Sequence, residues 1–278
     1  MSDPAERAAP TGLAERALER WAAVAGPRAA PLPLTPPLTV AAVRGSGLCP
    51  PGWCGIVRLA DATVATAPDP GAARALRTAL AALAPRDRTD PAAVTRALSG
   101  TGTRTVADVL GPASLAYLDA ADFRPAHRGA PVAVLDPGDA RLAALLERAG
   151  PEEAGESGLE GLDGPVHALL EGDRAVAAAG YARWSGDTAH LCVLTDPARR
   201  GRGLARTAAS AATARALGEG LLPQWRARPP ESRAVAAALG YRALGAQLSL
   251  LLHGAGGTGW MAGASKDRVR TTPTGGPA

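Results

Sequence analysis

The alternation of apolar and polar positions divides the chain near residue 130. In the first half, Leu13, Ala17, Leu18, Trp21 and Val24 fall on one face of a helix, with Glu15, Arg16 and Glu19 opposite. That spacing predicts an amphipathic helix whose apolar face needs a partner surface. Residues 27–37 hold five prolines and read as an extended connector. Residues 38–43 and 55–66 predict strands on either side of a turn-rich segment, 45–52. Helical spacing returns over 71–83, where Leu76, Leu80 and Leu83 share a face, and over 91–98. There Asp90 is suited to the N-cap and Pro91 to the first helical position. Residues 106–118, interrupted by Gly111-Pro112, fit neither period. Residues 124–131 read as a linker, and 1–10 as a disordered terminus.

In the second half, 131–135 predicts a short strand, and 139–149 a helix with Leu142, Leu145 and Leu146 inward. Glu152, Glu153, Glu156 and Glu160 follow in a Gly/Glu segment expected to hold a short helix and a loop. Then comes a meander of three strands, 166–170, 175–185 and 188–195, turned at Glu171-Gly172-Asp173 and Gly186-Asp187. An alanine-rich helix is expected over 204–217, ended by Gly218 and Gly220. A strand at 221–227, a helix at 232–239 and a strand at 246–252 complete the pattern. From residue 254 onward, Gly, Thr and Pro predominate, and a disordered tail is expected.

Composition adjusts this picture in three ways. Of 278 residues, 46% are apolar but only 3% aromatic, so any core must be built from Ala, Leu and Val on closely spaced elements. The formal charge is +4 and nearly every cation is arginine, the only lysine being Lys266. Cations cluster only at 199–206, where no aromatic residue is interleaved, which argues against a nucleic-acid partner. Cys49, Cys54 and Cys192 give neither metal-ligand spacing nor an even disulfide set. No charged leader precedes an apolar run, and no stretch is long enough to span a bilayer. The expectation is a soluble, cytoplasmic protein without metal or membrane.

Candidate chemistry concentrates in residues 191–204, LCVLTDPARRGRGL. An apolar strand breaks at Asp196-Pro197, passes through Arg199-Arg200-Gly201-Arg202-Gly203, and enters the alanine helix. The first N–H groups of a helix lack intrahelical partners, and its macrodipole places positive charge there, so such a corner suits an anion. A Walker A loop would need Lys-Ser/Thr after its last glycine. A dinucleotide loop would need Gly or Ala where Arg206 stands. What fits is Arg/Gln-x-x-Gly-x-Gly/Ala, here Arg200-Gly201-Arg202-Gly203-Leu204-Ala205, after a strand. With Leu239-Gly240-Tyr241 after the later helix, residues 130–253 resemble the GNAT superfamily of acyl-CoA N-acyltransferases.

The resemblance implies an α/β (α+β) fold: a mixed, mostly antiparallel sheet flanked by helices, acting as an acetyl-CoA-dependent N-acetyltransferase on an amine of a small molecule or peptide. Residues 1–129 would form a separate α/β domain, readable as a degenerate second copy without the glycine loop, shaping the acceptor pocket or a homodimer interface. Residues 254–278 would be the tail. The resemblance assigns the coenzyme's diphosphate to Arg200, Gly201, Arg202, Gly203, Leu204 and Ala205. It assigns the pantetheine to the backbone of Val193, Leu194 and Thr195.

The sequence departs from the family pattern in the acid and base. Ala236 stands where many members have a tyrosine acid, Pro229 where an asparagine is frequent, and Ala189 where some have a glutamate base. Remaining candidates are Tyr241, Glu152 and Glu156, with Glu153 beside them, while His190 reads as structural. The rival reading is a CoA-binding module without catalysis.

Overall fold

A computed structural model of the protein describes residues 12–26, 30–126, 131–184 and 187–254. The expected disordered segments, 1–10 and the tail from 254, lie outside the described residues except for Gly254, as does Gly186 of the predicted turn. The chain runs through helix α1 (Leu13–Ala25), strands β1 (Leu38–Ala42), β2 (Cys54–Leu59) and β3 (Ala62–Ala67), helices α2 (Pro70–Ala81) and α3 (Pro91–Ser99), and strand β4 (Arg104–Tyr117). It continues with β5 (Val132–Leu135), α4 (Ala140–Ala149), α5 (Pro151–Ser157), β6 (Val166–Glu171), β7 (Arg174–Trp184) and β8 (Thr188–Thr195). Helix α6 (Leu204–Gly218), β9 (Leu222–Ala227), α7 (Pro230–Ala238) and β10 (Arg242–Gly254) follow.

Local chemistry explains most of these boundaries. Asp69 and Asp90 each accept the N–H three residues on (2.8 and 2.6 Å), with proline next in line, so α2 and α3 start where a cap and a pre-set φ coincide. The segment that fitted neither period, 106–118, lies in β4, which is a 14-residue strand. Its period is broken by a bulge against β10, with Gly111 at φ +105° beside Pro112. Proline is tolerated there because a bulge leaves one residue outside the ladder.

The strands form one sheet of mixed, mostly antiparallel order, β1-β3-β2-β10-β4-β9-β8-β7-β6-β5. The meander β6–β7–β8 is antiparallel, as the alternation predicts. The expected division at residue 129 does not coincide with a break in the sheet. Strand β4, from the first half, lies between β9 and β10 of the second, and β10 in turn pairs with β2. The two halves are therefore interleaved.

Helices α1, α4 and α5 cover one face. Trp21 packs with Val57, Leu115, Tyr117 and Leu222, and Leu142 and Leu145 pack with Ala178, Cys192 and Leu194. Helices α2, α3, α6 and α7 cover the other. On that face Ala208, Ala209, Ala212 and Ala216 are fully buried against a sheet bearing Ala177, Ala179 and Ala189. This is the aromatic-poor, closely spaced core the composition implies. Among the described residues, no helix is long and apolar enough to cross a membrane, and no cluster of three or more His, Cys, Asp or Glu could hold a metal.

Candidate functional site

The corner after β8 is built on Asp196, whose side chain is 3% exposed. It accepts Arg174 Nη2 at 2.7 Å, Arg148 Nε at 2.8 Å and the Ala198 N–H at 3.0 Å. The bond from Arg174, supported by Arg148 and Ala198, outweighs burial and holds this carboxyl down at about 2. The loop therefore starts from a charge-assisted node tying α4, β7 and β8 together. Gly201 and Gly203 then adopt φ of +74° and +72°, the left-handed region that only glycine enters freely. A Cβ on Gly201 would meet nothing within 4 Å, so open space lies over that part of the loop.

Gly203 is the N-cap of α6 and has no side chain to offer. Thr207 is the first residue of the helix whose N–H finds an acceptor, Gly203 O at 3.3 Å. The N–H groups of residues 201–206 make no hydrogen bond among the described residues, so the helix presents unpaired donors and the positive end of its dipole together. The comparison within the molecule is informative. The starts of α2, α3 and α4 are closed by Asp69, Asp90 and Asp139, acids that occupy and neutralise the same kind of position.

Charges and orphaned polar atoms surround this corner. Arg199 pairs with Glu171 at 2.8 Å, and Arg200 with Glu153 of α5. Arg202 is exposed and makes no ion pair among the described residues. Thr195 Oγ1 and Arg206 Nε are buried and have no partner, at the end of β8 and in the first turn of α6. An anion bearing several oxygens suits this donor set.

Beside the corner the sheet opens. Strands β8 and β9 pair in parallel only where Thr188–His190 face Leu222–Gln224, although β8 continues to Thr195 and β9 to Ala227. The Asp196 N–H bonds Val176 O at 2.9 Å. With a period of two, the backbone of Leu194 is thus turned towards β7 and paired with Ala178, and that of Val193 and Thr195 towards the gap. The structure brings Val193 and Thr195 to the open edge beside residues 200–205. Leu194 is not available in the manner the resemblance implies, and its side chain fills the core under α4.

The catalytic candidates separate. Tyr241 is corrected: it is 5% exposed, packed edge-on against Trp225 (5.5 Å between centroids), and its hydroxyl is shared with Thr213 at 2.9 Å. Burial pushes that phenol well up, so it is core, not an acid at the cleft. Glu152 is exposed on α5. Glu156 pairs with Arg228 beyond β9, while Glu153 pairs with Arg200, so α5 is tethered to both sides of the gap between β8 and β9. Ala189 and Ala236 are buried and Pro229 is the N-cap of α7.

Sequence reasoning missed a buried chain of hydrogen bonds at the point where β8 and β9 part. Trp21 Nε1 and Gln224 Nε2 both donate to Tyr117 Oη, at 2.6 and 2.8 Å. Gln224 Oε1 then faces His190 Nδ1 at 2.9 Å, which assigns the proton to Nδ1 and leaves Nε2 as an acceptor. The His190 ring stacks on Trp184 (4.3 Å, 9°), and burial, then the charge of Arg226, pushes its pKa down to about 3. Nothing local in sequence announces this chain, because it joins residues up to 107 positions apart.

The site is thus a helix start whose unpaired donors suit an anion, beside a parallel strand pair that splays open. A family model described as GNAT acetyltransferase matches residues 164–246, from β6 through α7 to the first five residues of β10. The C-terminal part of the chain is a GNAT-superfamily domain, and acyl transfer is the general chemistry that this membership supports. Among curated proteins, none matches the chain. Solved structures similar to it include a GNAT-family acetyltransferase from Novosphingobium aromaticivorans, 22% identical over 54% of this chain and 67% of that one, with TM-score 0.41. Another, from Colwellia psychrerythraea, is 14% identical over 52% and 57%, with TM-score 0.40. A tandem GNAT protein from the clavulanic acid biosynthesis pathway is 15% identical over 61% and 60%, with TM-score 0.42. The chain spans less than two thirds of the length of the last two.

Proposed function

We propose that the protein is an acetyl-CoA-dependent N-acetyltransferase acting on an amine. The observation that carries this reading is the uncapped start of α6, where unpaired N–H groups, two left-handed glycines and Arg202 converge beside an open strand edge. When bound, acetyl-CoA supplies a thioester whose acyl carbon accepts the amine nitrogen as the carbon–sulfur bond breaks, one proton passing overall from amine to thiol. The N–H groups of residues 201–205 and the Arg202 guanidinium would hold its diphosphate. The backbone edges of Val193 and Thr195 would align its pantetheine arm. Glu156 and Glu152, on the helix tethered across the gap, are the groups suited to meet an ammonium. His190 Nε2 offers a further acceptor in that gap, and water protonates the leaving thiolate.

One set of observations favours a second reading, a CoA-binding module without turnover. Ala236, Pro229 and Ala189 supply no acid or base, and Tyr241 is sealed in the core. Both readings require binding at the α6 corner. A Gly201→Val variant should bind acetyl-CoA roughly a hundredfold more weakly by calorimetry, since it fills the approach to the amides. Its stability should fall by only about 1–2 kcal/mol, the cost of a left-handed non-glycine residue. Unchanged affinity would sink both readings. Release of free CoA thiol with any amine of a broad panel would favour turnover, and binding without release would favour the module.

A further inference from the structure

Arg226 lies on β9 two residues beyond Gln224, on the face where His190 and Cys192 stand across the gap, and it is half-buried. Its Nη1 donates to Gln247 Oε1 at 3.1 Å. Gln247 is itself fixed, because its Nε2 donates to Leu48 O at 2.7 Å. Nε and Nη2 of Arg226 make no hydrogen bond among the described residues, and no carboxylate there comes within ion-pair distance of its guanidinium. The acid whose charge reaches it, Glu156, is already engaged by Arg228. Burial, then the charge of Arg228, pushes the Arg226 pKa down, the opposite of what a paired arginine shows.

A half-buried guanidinium without a counter-ion is solvated less well than a free one, so an anion that reaches its open donors is favoured there. The two acids of α5 that reach this gap in ion pairs are already engaged, Glu153 by Arg200 and Glu156 by Arg228. Arg226 and Arg228 therefore leave net positive charge on the floor and rim between α1 and α5, on the face opposite α6 where the coenzyme would enter. Two free donors in fixed fork geometry match the two oxygens of a carboxylate.

Resting on the N-acetyltransferase reading, we propose that Arg226 binds a carboxylate of the acceptor, so that the acceptor is an amine carrying an acid group, as an amino acid does, and not a polycation. Polyamines and aminoglycosides would meet like charge. The test uses the full chain, fixed acetyl-CoA and thiol release, with matched acceptors: α-amino acids, their carboxamides, the corresponding decarboxylated amines, and spermidine. Amino acids should show KM lower than their carboxamides by roughly ten- to a hundredfold, the worth of hydrogen bonds to a charged group. R226Q should abolish that difference while acetyl-CoA affinity stays unchanged, and R226K, which keeps the charge in the fold, should retain part of it. Equal use of amino acids and carboxamides, or preference for spermidine, would overturn this inference and leave acetyl transfer standing. Loss of acetyl-CoA affinity in R226Q would overturn it too, by making Arg226 a contact to the coenzyme's phosphates. Transfer to no amine at all would overturn the underlying reading, and this one with it.

Discussion

Asp196→Ala tests whether the anion corner is held from beneath. The carboxylate accepts three hydrogen bonds, two of them from arginines on other elements, at 2.7–3.0 Å. Removing it leaves two cations facing each other. Their fates differ: Arg174 is 46% exposed and can turn into water, whereas Arg148 is 26% exposed and is also held by Ala175 O at 2.5 Å. Breaking a buried pair from one side costs about 3–5 kcal/mol. Because one partner escapes, the lower end applies, about 3 kcal/mol, or roughly 5–10 °C in Tm for a chain of this size. The acid limb supplies an independent check. The carboxyl is held at about 2 against an ordinary 3.8, so its contribution is complete above about pH 4 and is lost as pH falls towards 2. Urea unfolding at pH 7 and pH 3, wild type against variant, reads both effects, and calorimetry with acetyl-CoA reads the loop. A variant within 0.5 kcal/mol of wild type (about the scatter of neutral surface changes), or one keeping the wild-type acid limb intact, would refute the reasoning.

Two further outcomes are expected. Gly240→Ala should unfold or abolish soluble expression: φ there is +97° and an added Cβ would stand 2.0 Å from Asp122 O, a backbone atom that cannot turn aside. Near-wild-type melting would show the turn to be more pliant than its geometry. For His190, the folded protein refuses a proton that the unfolded chain takes near pH 6.5, so stability should fall as pH drops from about 6.5 towards 3, by at most about 1.4 kcal/mol per unit. His167, also pushed down by burial, acts in the same direction, so the readout is the difference between wild type and His190→Gln, and parallel curves would count against the assignment.

What could be read in advance was what local chemistry decides. Asp90-Pro91 fixed one helix start, and two glycines among arginines between a strand and an alanine run marked the candidate anion corner; the matching Asp69-Pro70 start of α2 was missed. Strand β4 was illegible because its bulge, at Gly111-Pro112, disrupts the period of two that identifies a strand. Tyr241 misled because its neighbour Gly240 shows only that the chain turns, not which way the ring then faces. Leu194 was counted with Val193 and Thr195 because a run of apolar residues conceals the alternation of backbone direction along an edge. The ion pairs of α5 and the unpaired state of Arg226 depend on what lies opposite in space, 47 and 72 positions away for the two glutamates. No window of sequence holds both partners.

The interleaving of β4 and β10 bears on how the site is held open. In the second half alone, β9 would have β8 on one side over three residues and an unpaired edge on the other. Strand β4 closes that edge by pairing Ser114–Tyr117 with residues 224–227, and through Tyr117 it fixes the Gln224 amide that orients His190. The divergence of β9 from β8 is therefore maintained by a strand contributed from the first half, with Trp21 of α1 bonded to the same hydroxyl. Gln247, which holds Arg226, is anchored in turn on Leu48 of the first half. Among the described residues of the N-terminal half, the starts of α2 and α3 are closed by Asp69 and Asp90. What that half contributes is the far wall of the gap and the polar floor within it; on the proposed reading, acceptor specificity would therefore draw on both halves, while the α6 corner proposed for the coenzyme lies in one.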